Sequence, residues 1–204
     1  MGELDEYEVL DSQTMFAGHV VHVRRDKILM PDGSTANREV IEHPGAVAVV
    51  ALDDAGNVVL VNQYRHPVGA RLDELPAGLL DVAGEPALDA AKRELAEEAG
   101  LSAAAWHVLL DLHSSPGISN EAIRVFLARG LAPASANGFI REHEEAAMRV
   151  AREPLAEAVR RVLTGAITNS IAVAGLLAAM HGHATDWRDL RAANAPWPAR
   201  PGSA

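Results

Sequence analysis

The stretch Gly78-Leu-Leu-Asp-Val-Ala-Gly-Glu85-Pro86-Ala-Leu-Asp-Ala-Ala-Lys-Arg93-Glu94-Leu95-Ala-Glu97-Glu98-Ala-Gly100-Leu101 reads as a loop, a helix and a stop. Pro86 suits the first helical turn, where a missing N–H loses nothing. Leu88, Ala91, Leu95 and Ala99 recur at spacings of three and four, which predicts a helix over 86–99 with one apolar face. Gly100 suits its C-terminal stop. Glu94 and Glu98 stand four apart on one side of this helix, with Glu97 beside them. Like charges at that spacing repel by about 0.2–0.5 kcal/mol per pair in a bare helix. A solvated acidic face tolerates that repulsion. A hard cation converts it into coordination, because Mg²⁺ and Mn²⁺ take oxygen ligands and share them with phosphates.

Working outward, Ala46-Val-Ala-Val-Val-Ala-Leu52 is a continuous apolar run that fits a central strand. Asp53-Asp-Ala-Gly-Asn57 is a turn, and Val58–Tyr64 reads as the return strand of a hairpin. Before it, β-rich runs occupy 8–10, 18–23, 26–30 and 38–42, and Pro31-Asp-Gly-Ser34 is a hairpin turn between two of them. After the helix, Trp106–Leu112 and Ile123–Ala128 read as strands, and Pro154–Thr164 and Thr168–His181 as helices. Pro133–Arg152 has no strong periodicity and reads as an exposed loop. Ala195–Ala204 is proline-rich and reads as a loose tail. Strands mixed with a few helices indicate an α/β or α+β sandwich. The strict βαβ alternation and the G-x-G-x-x-G of a Rossmann fold are both missing. Three parts are expected: an N-terminal β region over 1–44, a main domain over 45–186 and a flexible tail over 187–204.

Composition narrows the chemistry. The chain has 204 residues, 49% of them apolar and only 4% aromatic, so aliphatic side chains and alanine must fill the core. Having no cysteine, it forms neither disulfides nor thiolate metal sites. A net charge of -10 argues against general binding to nucleic acid or anionic membrane, which needs basic surface. A phosphate-bearing substrate therefore requires local reversal of sign, by a bound cation or clustered arginines. The acidic N-terminus lacks the pattern of a signal peptide, and no run approaches the roughly 18 apolar residues of a membrane helix. A soluble cytoplasmic protein is the expectation.

The pattern Glu85-x7-Arg93-Glu94-Leu95-x-Glu97-Glu98-x-Gly100-Leu101 resembles the signature box of the Nudix hydrolases. Six residues separate Gly78 from Glu85, where the family usually has five. The resemblance implies an α/β/α sandwich with a mixed sheet, preceded by a small antiparallel N-terminal sheet. It implies that Glu94 and Glu98 bind metal, with Glu97 as a ligand or its support and the carbonyl of Ala77 as a further ligand. Arg93 would orient a glutamate by an ion pair.

The likeness runs from about residue 8 to 180. Pro116, sixteen residues after Gly100, is typical of the ADP-ribose pyrophosphatase branch, especially its actinobacterial members. So are Gln63-Tyr-Arg65-His66, Glu74-Leu-Pro-Ala-Gly78 and Arg38-Glu-Val-Ile-Glu42. Asp73 departs from that branch, where a bulky apolar residue is common. By resemblance, Arg38, Arg65, Glu74, Pro116 and Glu121 would serve the substrate, and the N-terminal strands would swap across a homodimer. The segment Glu142-His-Glu144-Glu145 would supply the general base: Glu145, or alternatively Glu142 with Glu144 as a metal ligand. The implied reaction is Mg²⁺-dependent cleavage of ADP-ribose to AMP and ribose 5-phosphate. Cleavage of another nucleoside diphosphate sugar or dinucleotide, or non-catalytic ADP-ribose sensing, are the alternatives.

Overall fold

The computed structural model describes residues 7–134 and 147–200. A three-stranded antiparallel sheet comes first, formed by β1 (Val9–Ala17), β2 (His22–Leu29) and β3 (Thr35–Glu42). The second sheet is mixed and has the order β10-β5-β4-β9-β8-β11. Its strands are β4 (Ala46–Leu52), β5 (Asn57–Arg65), β8 (Leu101–His113), β9 (Ala122–Pro133), β10 (Arg149–Pro154) and β11 (Arg191–Ala192). Two short strands branch from it: β6 (Ala70–Glu74) pairs with β5, and β7 (Ala77–Leu79) with β4. The β4–β9 pair is parallel and the others are antiparallel. Helix α1 (Ala87–Ala99) covers one face, and α2 (Leu155–Leu163) and α3 (Ser170–Ala184) cover the other.

Strand β4 shows how the layers are set. All seven of its residues are buried. Side chains alternate across a strand, so Val47, Val49 and Ala51 pack with Ala90, Ala91 and Leu95 of α1. Ala48, Val50 and Leu52 pack with Leu155, Ala158, Ala172 and Leu176 of the other two helices. Each fully buried aliphatic side chain of this kind contributes about 1.5–3 kcal/mol. Gly175 lets α3 lie close to the sheet, since a Cβ there would sit 2.6 Å from Leu75 Cδ1.

The hairpin expected over 46–64 forms and then opens. The Asp53 carboxylate holds its turn by accepting from the amides of Ala55 and Asn57, but β4 and β5 pair only at Leu52 and Val58. Beyond that point the single segment 70–79 fills the gap. Its β6 half takes the edge of β5, its β7 half takes the edge of β4, and the Val49 amide donates to the Pro76 carbonyl between them.

Other boundaries move for physical reasons. β1 is longer than read, because its polar Asp11-Ser-Gln-Thr14 lies in an exposed sheet where apolar alternation is not required. β2 is one strand through Arg24 and Arg25, whose side chains pair with Asp26 and Glu39. β10 begins in the stretch read as a loop and runs two residues beyond it, to Pro154. It is an exposed edge strand held by backbone pairing to β5 and carries almost no apolar signal. Within the segment expected as a loose tail, residues 195–197 lie against the core. Trp197 packs on the α1 side of the core, and Arg124 donates to the carbonyls of Ala195 and Pro196.

Candidate active site

The split between β4 and β5 makes the site. It brings β7, with Ala77 and Gly78, against the glutamate-bearing side of α1. Glu98, on the fourth turn of α1, is buried at 6% exposure and accepts a hydrogen bond from the Ala77 amide at 2.9 Å. Gly78 passes so close to Glu94 that a Cβ would lie 2.0 Å from Glu94 Oε1. Only glycine permits this approach of strand to carboxylate.

Arg93 is the hub of the cluster. Its Nε and Nη2 donate to the two oxygens of Glu85 at 3.1 and 3.0 Å, and its Nη1 donates to Glu94 at 2.6 Å and Glu97 at 3.1 Å. The guanidinium is held above its ordinary range, chiefly by the Glu85 pair. The extra residue between Gly78 and Glu85 is absorbed in a turn in which the Glu85 amide donates to the Val82 carbonyl. Gly84 there adopts φ +79°, and Glu85 still reaches Arg93. Three carboxylates thus share one arginine, and Glu98 adds a fourth on the same helix. The donors are all oxygen, which suits a hard cation. Among the described residues they form no ready-made cage of three metal-binding side chains. Mg²⁺ does not need one, since it usually takes one or two carboxylates and fills its shell with water and substrate oxygens.

The other predicted residues fall into two further groups. Arg65 and Glu74 form a bidentate pair, at 3.0 and 2.7 Å, across β5 and β6. Glu74 is 2% exposed and also accepts from Gln63. Arg38, on β3, lines one cavity of about 560 Å³ with Val40, His113, Pro116 and Ile118. Glu121 stands at the base of the Pro116 loop, where its carboxylate accepts from the Ser114 hydroxyl and its amide donates to the Ser119 hydroxyl. The candidates Glu142, Glu144 and Glu145 lie outside the described residues.

Sequence reading missed the contacts that join the Pro116 loop to the N-terminal sheet. The Ile41 amide donates to the Ile118 carbonyl, the Asn120 amide returns to the Ile41 carbonyl, and the His43 amide donates to the Asn120 side chain at 2.8 Å. These residues are 77–79 positions apart and carry no local pattern. Asp73, which departs from its branch, is engaged by Asn62 and Arg161. That network ties β5 and β6 to α2, and it keeps Arg161 above its ordinary range, chiefly through Asp73. Asp73 thus has a polar role of its own.

Residues 42–165 match the NUDIX domain family, and residues 7–41 match the nucleoside diphosphate sugar hydrolase N-terminal domain. The chain is 50% identical over 196 residues to the ADP-ribose pyrophosphatase of Mycobacterium tuberculosis, covering 96% of this chain and 93% of that protein. It is 37% identical to the ADP-ribose pyrophosphatase of Bacillus subtilis, over 64% of this chain and 70% of that one. A solved structure of an ADP compounds hydrolase superposes with a TM-score of 0.76 at 23% identity, over 92% of this chain and all of that one, and shares the fold.

Proposed function

The chain belongs to the Nudix hydrolase family, and from that membership we propose that it cleaves ADP-ribose to AMP and ribose 5-phosphate, with Mg²⁺ as its cation. The observation that carries the reading is the convergence of Ala77 and Gly78 of β7 with Glu94 and Glu98 of α1. Nudix hydrolases generally use a divalent cation. Here Glu94, Glu98 and the Ala77 carbonyl would hold it, with Glu97 in support, and Mn²⁺ would substitute. When bound, the cation supplies Lewis-acid polarisation of a phosphoryl oxygen.

The chain's own residues do the rest. Glu98 fixes the Ala77 backbone through its amide, and Arg93 sets Glu94 and Glu97 while Glu85 sets Arg93. Arg65, aligned by buried Glu74, and Arg38 present planar charge to the diphosphate, supplying the positive field that an acidic protein otherwise lacks. Glu145 would take the proton of the attacking water; in the rival arrangement Glu142 would do so and Glu144 would help hold the cation. One P–O bond forms from water, and the P–O bond to the bridging oxygen breaks with its electrons going to the leaving phosphate. Pro116 lines the wall against which the substrate lies, and Glu121 holds Ser114 and Ser119 of the same loop.

Among the described residues no helix is long and apolar enough to cross a membrane. The enzyme works as a cytoplasmic homodimer. Tyr7, Val9, Leu10, Met15, Phe16 and Val20 are large and exposed on or beside the N-terminal sheet, and a second copy would cover them. A second substrate reading, another nucleoside diphosphate sugar, is favoured by the description of the domain that matches 7–41. Release of AMP with Mg²⁺, and kcat/KM across ADP-ribose, sugar nucleotides and NADH, decide between them. Preference for ADP-ribose is expected, and a clear preference for a sugar nucleotide sinks the substrate assignment.

A further inference from the structure

Arg124 sits on β9 with 3% of its surface exposed. A charge so buried is tolerated when it is paired and its donors are used. Asp111 takes Nε and Nη2 at 2.8 and 3.0 Å, while Nη1 and Nη2 also donate to the carbonyls of Ala195 and Pro196 at 2.6 and 2.9 Å. The guanidinium carbon lies 4.9 Å from the Trp197 ring centroid. Trp197 packs on the same core cluster as Ala87 and Leu88, the first turn of α1. The chain then turns, with the Arg200 amide donating to the Trp197 carbonyl. Arg200 Nη2 donates to the carbonyl of Glu85 at 3.2 Å. In passing, Ala199 forms part of the wall of the Arg38–Pro116 cavity.

We propose that residues 195–200 are a positioning strap of the active site, anchored on Arg124, in which Arg200 sets Glu85 and through it Arg93 and the box glutamates. The strap rests on the hydrolase reading given above. Its logic is geometric. Glu85 is the last residue of a loop, preceded by a glycine turn and followed by Pro86, which has no N–H to give. Its side chain must still meet Arg93 in a two-point pair. A hydrogen bond on its carbonyl fixes the peptide plane from which that side chain starts. The same segment touches both halves of the site: Glu85 on the catalytic side and the cavity wall on the substrate side.

The test uses the full chain and Arg200→Ala, with Arg200→Lys as the conservative variant. We expect kcat for ADP-ribose to fall about fivefold, short of the 10–100-fold typical of groups one contact from a metal ligand. KM should stay within about twofold. Half-maximal activation should need more Mg²⁺, backbone amides over 82–88 should exchange faster, and Arg200→Lys should restore most of the loss. Unchanged kcat and unchanged exchange in Arg200→Ala overturn the proposal. So does faster exchange spread over the whole chain with a matching fall in Tm, which marks general destabilisation. An inactive wild type overturns the hydrolase reading instead, and the amide exchange still judges the strap on its own.

Discussion

The box helix and the rim of the Arg38 cavity, made of β3 and the Pro116 loop, are built in opposite ways. The box is local: Glu85, Arg93, Glu94, Glu97 and Glu98 lie within fourteen residues, and their contacts follow from helical spacing and one loop. The rim is assembled from segments almost 80 residues apart, joined by backbone hydrogen bonds at Ile41, Ile118 and Asn120. The box holds charges that repel one another around one arginine, so under the proposed function small changes there should act on chemistry. The rim is a surface docked onto another surface, so changes there should act on binding.

The largest effect should come from the box. Replacing Glu98 by Gln keeps size but removes a charge and weakens the acceptor for the Ala77 amide. We expect kcat to fall by at least about a hundredfold, with little change in fold, since even residues supporting a metal ligand are worth 10–100-fold. Steady-state rates of AMP release at saturating Mg²⁺ measure it, and a rate within twofold of wild type would remove Glu98 from the machinery. Gly78→Ala comes next. Its Cβ has nowhere to go but into the Glu94 carboxylate, so β7 or Glu94 must move. Overpacking of this kind costs about 1–3 kcal/mol, and it should appear as a lower Tm together with about a tenfold loss of kcat. A loss of stability with full kcat would mean that Glu94 can shift without consequence.

That contrast also explains what the sequence made legible. Helical periodicity and a C-terminal glycine placed α1 within a residue, and the apolar run placed β4 without error, because both signals are local and concern burial. The glutamates stand out as candidates because a box is a spacing. β10 was invisible, since an exposed edge strand needs only backbone pairing. The contacts of residues 195–197 are illegible in sequence, because the prolines suggest a loose tail while the arginine they meet is 71 residues away. Arg65 and Arg38 were picked for their charge. The pairing of Arg65 with buried Glu74 and the seat of Arg38 beside Pro116 depend on register and on docking, which no single segment reveals.

A smaller effect is expected at the rim. Arg38→Ala removes a cation from the cavity wall and breaks no buried pair, since its described hydrogen bond is to the neighbouring Asn37 carbonyl. We expect KM for ADP-ribose to rise several-fold with kcat nearly kept, the mark of binding that is equal in ground and transition states. A fall in kcat with unchanged KM would move Arg38 into the chemistry and erase the division between box and rim.

The smallest effect separates the two regions by pH. Asp26 of β2 is held below the usual carboxylate range, first by the Ser12 hydroxyl at 2.7 Å and then by Arg24, although burial opposes this. Arg93 in the box is shifted the other way, upward, so its pairing is unaffected by its own titration anywhere near neutrality. A carboxyl group whose folded pKa is depressed stabilises the fold above its ordinary value of 3.8, and that contribution drains away as pH falls through the lower folded value. Asp26→Asn should therefore be less stable than wild type by about 1 kcal/mol at pH 7, the net worth of hydrogen bonds of this kind. The gap should close as both proteins are taken below pH 3.8. Denaturant unfolding of the two at neutral and acid pH gives the difference directly. A gap that stays constant would mean that shape, and not the carboxylate charge, is what Asp26 contributes between β1 and β2.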